Sequence, residues 1–147
     1  MNKDELKEHK EELEEEADLL EDATDEPADS IKHDLKKAGE DINHNNLKGA
    51  KDKENRAEED IKKKVEDEIS FVSSELGAIN NNVQDKLLTL TPEKASKIDE
   101  MIKNCETLLN NAQANLDDDL KVAEESIIEA KQIIEELADK INTEQST

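Results

Sequence analysis

The residues able to do chemistry in this chain are three histidines, one cysteine and a large excess of carboxylates. Histidine supplies proton transfer or metal ligation, cysteine a nucleophile, and paired carboxylates either proton transfer or oxygen ligands for hard cations. None of these types recurs here at the spacing such chemistry needs. His9, His33 and His44 stand among Lys, Glu, Asp and Asn, and are expected at the surface. Cys105 falls in phase with Ile98, Ile102 and Leu109, which reads as a small buried hydrophobe and not an activated thiolate. As the sole cysteine it can form neither an intrachain disulfide nor a thiolate zinc cluster. Gly39, Gly49 and Gly77 are isolated, so no phosphate-cradling loop is expected, and no Glu-x-x-His pair of the di-iron kind occurs. The expectation is a protein that is not an enzyme, with no catalytic residues, no metal ligands and no cofactor.

One metal pattern stands apart. Asp41-x-Asn43-x-Asn45 is followed by Gly49 and by Asp52 at the twelfth place, which echoes a calcium-binding helix-loop-helix. Asn46 replaces the turn glycine, Lys48 an apolar residue and Asp52 the bidentate glutamate. A weak calcium-binding protein is therefore the third of three readings.

Charge narrows the partners. The 147 residues carry 41 acids against 20 basic groups, a formal net charge of −21. Phosphate backbones and anionic lipid both require cationic patches, so neither nucleic acid nor membrane is an expected partner. Arg56 is the only arginine, which excludes an arginine cluster for bidentate recognition. Met1 to Glu5 leads into no apolar stretch, so a standard signal peptide is not expected, and a cytoplasmic location is.

Apolar residues make up 33% of the chain and Phe71 is its single aromatic, so any core must use Leu, Ile, Val and Ala. That composition suits interlocking helices. Leu6, Leu13 and Leu20 recur every seven residues in an acidic first helix, a thin seam for the chain's own core. Thr24-Asp25-Glu26-Pro27 reads as a helix start, and Ala28, Ile31, Leu35, Ala38 and Ile42 follow at helical spacing. Asn43 to Gly49 reads as a polar loop. A long stripe then runs Ala57, Ile61, Val65, Ile69, Val72, Leu76, Ile79, Val83 and Leu87, with Gly77 and Asn80-Asn81-Asn82 able to bend it. Thr91-Pro92-Glu93 marks a capped start for the stripe from Ala95 to Ala112. Asp117-Asp118-Asp119 opens a last helix whose stripe runs from Leu120 to Ile141.

The predicted architecture is all-α: an antiparallel three-helix bundle over about 57–141, preceded by one or two additional helices. As domains, residues 1–23 form an acidic, mobile helix and 24–49 a short helix with a polar loop. Residues 50–141 form the bundle and 142–147 a disordered tail.

The bundle region resembles the C-terminal helical lid of the DnaK-type seventy-kilodalton heat-shock chaperones. The resemblance rests on Ala57-Glu58-Glu59-Asp60, followed by Lys62-Lys63-Lys64, Glu66 and Glu68, which is similar to the charged opening of that lid's long helix. The cap at Thr91, a helix of about twenty residues, the acidic turn and a closing helix follow in the family's order. Ser70-Phe71 stands near where the family has an Arg-Asn pair. The stretch from Ala28 to Ile42 resembles the mid-lid segment, though it precedes the charged opening. The resemblance implies contact with partially unfolded protein. It implies no ATP hydrolysis, because the family's ATPase domain and peptide-binding sandwich have no counterpart in this sequence.

The leading reading is a non-catalytic, protein-binding helical module that contacts unfolded or basic segments. Leu13, Leu19 and Leu20 are its candidate contact residues, an apolar strip in an acidic field. The second reading is a structural coiled coil, or homo-oligomerisation module.

Overall fold

Helix-forming stretches with stop signals between them fold into five helices among the described residues. The computed structural model describes residues 2–145, with side chains through Ile141. The elements are α1 (Lys3–Thr24), α2 (Asp29–Asn43), α3 (Leu47–Lys86), a 3₁₀ turn (Leu87–Thr89), α4 (Pro92–Ala114) and α5 (Leu120–Gln145). No strand occurs among the described residues, so the chain is an all-α helical bundle protein.

The chain divides into two compact units, the first ending at Glu66 and the second starting at Asp67. The division falls inside α3, not near residue 50 as the stripe pattern suggested. The reason is that α1 does not stand apart. Leu6, Leu13, Ala17, Leu20 and Ala23 are all buried, together with Ile31, Leu35, Ala38 and Ile42 of α2 and Ala50, Ala57, Ile61 and Val65 of α3. A seam of one leucine per heptad suffices because the alanines between them let the helices approach closely.

Contacts fix the topology of the first unit. Glu21 of α1 meets Lys32 of α2, and Leu6 clusters with Ile42 and Ala50. Lys53 of α3 pairs with Asp41 of α2, and Arg56 with Asp34 at 3.2 Å. Helix α2 is therefore antiparallel to both its neighbours, while α1 and the start of α3 run parallel. In the second unit, Asn111 of α4 donates to Ser126 of α5 at 2.9 Å, and Lys131 of α5 meets Glu68 of α3 at 3.0 Å. Here α4 opposes α5, and α5 runs parallel to the last half of α3.

The ends of the helices refine several sequence expectations. Thr24-Asp25 ends α1 and does not begin α2: Asp25 adopts the left-handed region at φ 58° as the C-cap. Helix α2 begins beyond Pro27, with Ala28 as an N-cap that has no side chain to offer. Glu21 reaches over from α1 and accepts from the Ala28 N–H at 2.7 Å, doing the work of a capping residue from another helix. The polar loop is only His44 to Asn46, because Asn45 takes a left-handed turn at φ 59° and Asn46 accepts from Gly49 N–H at 3.1 Å. Gly49 thus lies in the first turn of α3. Helix α3 continues unbroken through Gly77 and the three asparagines. Thr91 caps α4 with Pro92 in its first turn, as its sequence predicts. Helix α5 reaches Gln145, into the 142–147 segment expected as a tail, of which Ser146 and Thr147 lie outside the described residues.

Candidate functional site

The three proposed contact leucines do not form an exposed strip. Leu13 and Leu20 are each 1% exposed, committed to the core of the first unit, and Leu19 is half-buried. Their heptad spacing faces α2 and α3 of the same chain, which leaves little apolar surface on α1 for a partner.

The exposed large apolar residues are elsewhere. Phe71 is 56% exposed on α3, Leu87 is 41% exposed and Leu88 is fully exposed on the 3₁₀ turn before α4. Leu87 was expected on the buried stripe. The helix stops at Lys86, so the backbone turns and the leucine no longer follows the helical phase. Thr89 donates its hydroxyl to Lys86 O at 2.7 Å, closing the turn that carries Leu87 and Leu88. The signal in the sequence is the run Leu87-Leu88-Thr89-Leu90 before the Thr91 cap, apolar residues crowded into a connection where polar ones are the rule.

No protein-family model, curated protein or solved structure matches this chain.

A second feature concerns His9, which is not a surface residue. Its side chain is 18% exposed and lies between two carboxylates of α3: Nδ1 is 2.8 Å from Glu54 Oε1 and Nε2 is 3.4 Å from Glu58 Oε2. Glu54 is fully buried, and its other oxygen has no hydrogen-bond partner among the described residues. Burial pushes its carboxyl above the usual range, and His9 partly offsets that shift. The sequence did carry a signal for Glu54: Ala50, Glu54, Ala57 and Ile61 are spaced as one buried stripe, with a single acid in phase. His33 and His44 are exposed, as expected, and His44 Nδ1 lies 2.8 Å from Glu40 O.

Asp41 and Asn43 close α2 while residues 47–52 open α3, so no twelve-residue calcium loop exists, and Asp41 is engaged by Lys53. Helix formation claims the backbone that a calcium site would need to coil around the ion. No group of three or more metal-ligating side chains is gathered among the described residues. Cys105 is buried on α4, its Sγ donating to Ala130 O at 3.5 Å, and burial followed by the Glu106 charge pushes the thiol up to about 11. It is a packing residue at neutral pH. Glu21 is held below the usual carboxylate range, first by the Lys32 hydrogen bond and then by Ala28 N–H, while Lys32 is pushed up to about 12 by Glu21 and Asp18.

Two of the shallow clefts are lined by described residues. One, of about 360 Å³, lies between α1 and α2; Lys32 pairs across it with Asp18, while Lys10 pairs with Glu14 along α1. The other, of about 280 Å³, lies between α3 and α4 at Leu76, Gly77 and Leu109. No described helix is long and apolar enough to cross a membrane.

Proposed function

We propose that this chain is a non-catalytic helical module that binds another protein, and that the Leu87-Leu88 turn is its point of contact. The observation that carries this reading is the full exposure of Leu88 beside a 41% exposed Leu87, in a unit whose other leucines are buried or half-buried. Burying a leucine side chain against a partner is worth about 1.5–3 kcal/mol, so two neighbouring leucines form a useful anchor. The charge of the same unit selects the partner. Residues 67–147 hold 18 acids and seven lysines, a net of −11, which favours a basic segment. The resemblance of Ala57 to Ile141 to a chaperone lid supports unfolded or amphipathic protein as the kind of partner. A second copy of the chain is disfavoured at this turn by its like charge.

The test is a fluorescence-anisotropy titration of a labelled, lysine-rich amphipathic peptide. Binding is expected to weaken at least tenfold in Leu88→Ser and with rising salt. Equal binding by the wild-type chain and Leu88→Ser removes the turn as the contact. A mass in sedimentation velocity that rises with concentration supports the oligomerisation reading instead.

A further inference from the structure

Charge is spread unevenly along α3. Of the twenty residues from Leu47 to Glu66 thirteen are charged, whereas Glu75 is the only charged residue among the sixteen from Ile69 to Gln84. Around its apolar stripe this second stretch uses serine, asparagine and glycine. These are weaker helix formers than the lysine and glutamate of the first stretch, so helix stability does not account for them. The uncharged residues also gather on one side. Spacings of four, three, four, four and three set Asp67, Phe71, Ser74, Ala78, Asn82 and Asp85 in one line along α3, and all six are exposed. The other sides of α3 in this unit are occupied. Helix α5 is joined through Lys131 and Glu68, and α4 lies across the cleft at Leu76, Gly77 and Leu109. Phe71, the single aromatic of the chain, is 56% exposed within the line. The result is an uncharged strip around one large apolar side chain, with a carboxylate at each end.

We infer that this strip seats a basic amphipathic helix, apolar along its middle and carrying lysines near both ends. The inference rests on the reading of the chain as a protein-binding module and adds the shape and charge pattern of the partner. Asp67 and Asp85 are about 27 Å apart along the helix at roughly 1.5 Å per residue, so the partner segment needs about five helical turns. Charge complementarity selects its lysines: no cation lies between Lys64 and Lys86 in the sequence, and Glu75 adds a third acid to the pair that ends the strip. Ser74 and Ala78 present little bulk, so the incoming helix can approach α3 closely and pack its side chains around Phe71. A second copy of the chain does not fit. Paired antiparallel, two strips set Asp67 against Asp85 at both ends; paired parallel, each acid meets its own counterpart. Asp85 stands two residues before Leu87, so the seated helix runs from the exposed turn along α3.

The experiment titrates the full chain with a labelled peptide of about eighteen residues, built from leucine, alanine and lysine with one apolar stripe and lysines at both ends. A scrambled peptide of the same composition has no stripe. Anisotropy gives the affinity, and circular dichroism shows whether the peptide gains helix and whether each variant stays folded. Phe71→Ser and Ala78→Lys are each expected to weaken binding about tenfold, and the scrambled peptide to bind at least tenfold less tightly. Asn104→Lys, which adds the same charge at an exposed position of α4, is expected to weaken it less than threefold. Both strip variants change exposed side chains, so either one decides the matter if the other folds poorly. Weakening by Leu88→Ser with no change in Phe71→Ser or Ala78→Lys overturns the strip and leaves the turn as the contact. Equal binding of the two peptides overturns it in favour of charge alone, and no binding by the wild-type chain overturns it together with the turn. A wild-type dimer in sedimentation velocity that Phe71→Ser dissociates overturns it in favour of a second copy.

Discussion

Leu13→Ala discriminates most sharply between a docked and a frayed first helix. Leu13 is 1% exposed within the first unit. Truncation removes three carbons, about 2.4 kcal/mol of transfer free energy at roughly 0.8 kcal/mol each. A residual cavity adds to that, because the neighbouring helices relax only partly, so the expected loss is about 3 kcal/mol. With a urea slope of about 1.5 kcal/mol/M for a unit this small, the midpoint falls by about 2 M. The assay is urea unfolding of the full chain by circular dichroism, reading the transition of the first unit if the two units melt separately. Leu19→Ala, at a half-buried position, serves as the control and is expected to lose under about 1 kcal/mol. A loss below about 1 kcal/mol for Leu13→Ala would refute the reasoning, because it would mean that α1 contributes little to the core.

Three further outcomes are expected. Gly77→Ala should stabilise the second unit by roughly 0.5–1 kcal/mol in thermal or urea melts. A Cβ at that position meets nothing within 4 Å, so the gain in helix propensity comes without a clash, and a loss of stability would contradict the open space seen there. Cys105 should react with a disulfide reagent at pH 8 roughly a hundredfold slower in the folded chain than in urea, since burial holds its thiol at about 11. Glu54 has a raised carboxyl, so the folded form holds that proton more tightly than the unfolded chain does. Its contribution is present in full below the ordinary carboxylate value and is lost as pH rises through the folded one. Glu54→Gln should therefore gain on wild type in melting temperature as pH rises from about 4 upward, and a gap that narrows over that range would speak against it.

The helices were legible because period is a local property. The stripe from Ala57 to Val83, the cap at Thr91 with Pro92 and the acidic turn before Leu120 each specify an element without reference to the rest of the chain. The partition into units was less so. Leu6, Leu13 and Leu20 look too sparse for a core until Ala17 and Ala23 are counted as contact surface, and small residues signal close approach only once the partner helix is known. The helix start assigned to Thr24 failed for a similar reason. Its residue types suit either end of a turn, and the capping group for α2 comes from Glu21, seven residues before the backbone it serves. Site residues were hardest. Leu88 is exposed because α3 stops two residues earlier, a stop that no glycine or proline within the helix announces. Glu54 and Glu124, both fully buried, sit in phase with apolar stripes, and in a chain with 41 acids that phase is easily overlooked.

The central claim, contact through the turn between α3 and α4, is tested most directly by amide chemical-shift mapping. The nitrogen-15-labelled chain is titrated with the lysine-rich amphipathic peptide at low salt. The account predicts that the largest shifts cluster at Leu87 to Leu90 and the adjoining ends of α3 and α4. Shifts centred on α1, or spread evenly over acidic surfaces of both units, would contradict it.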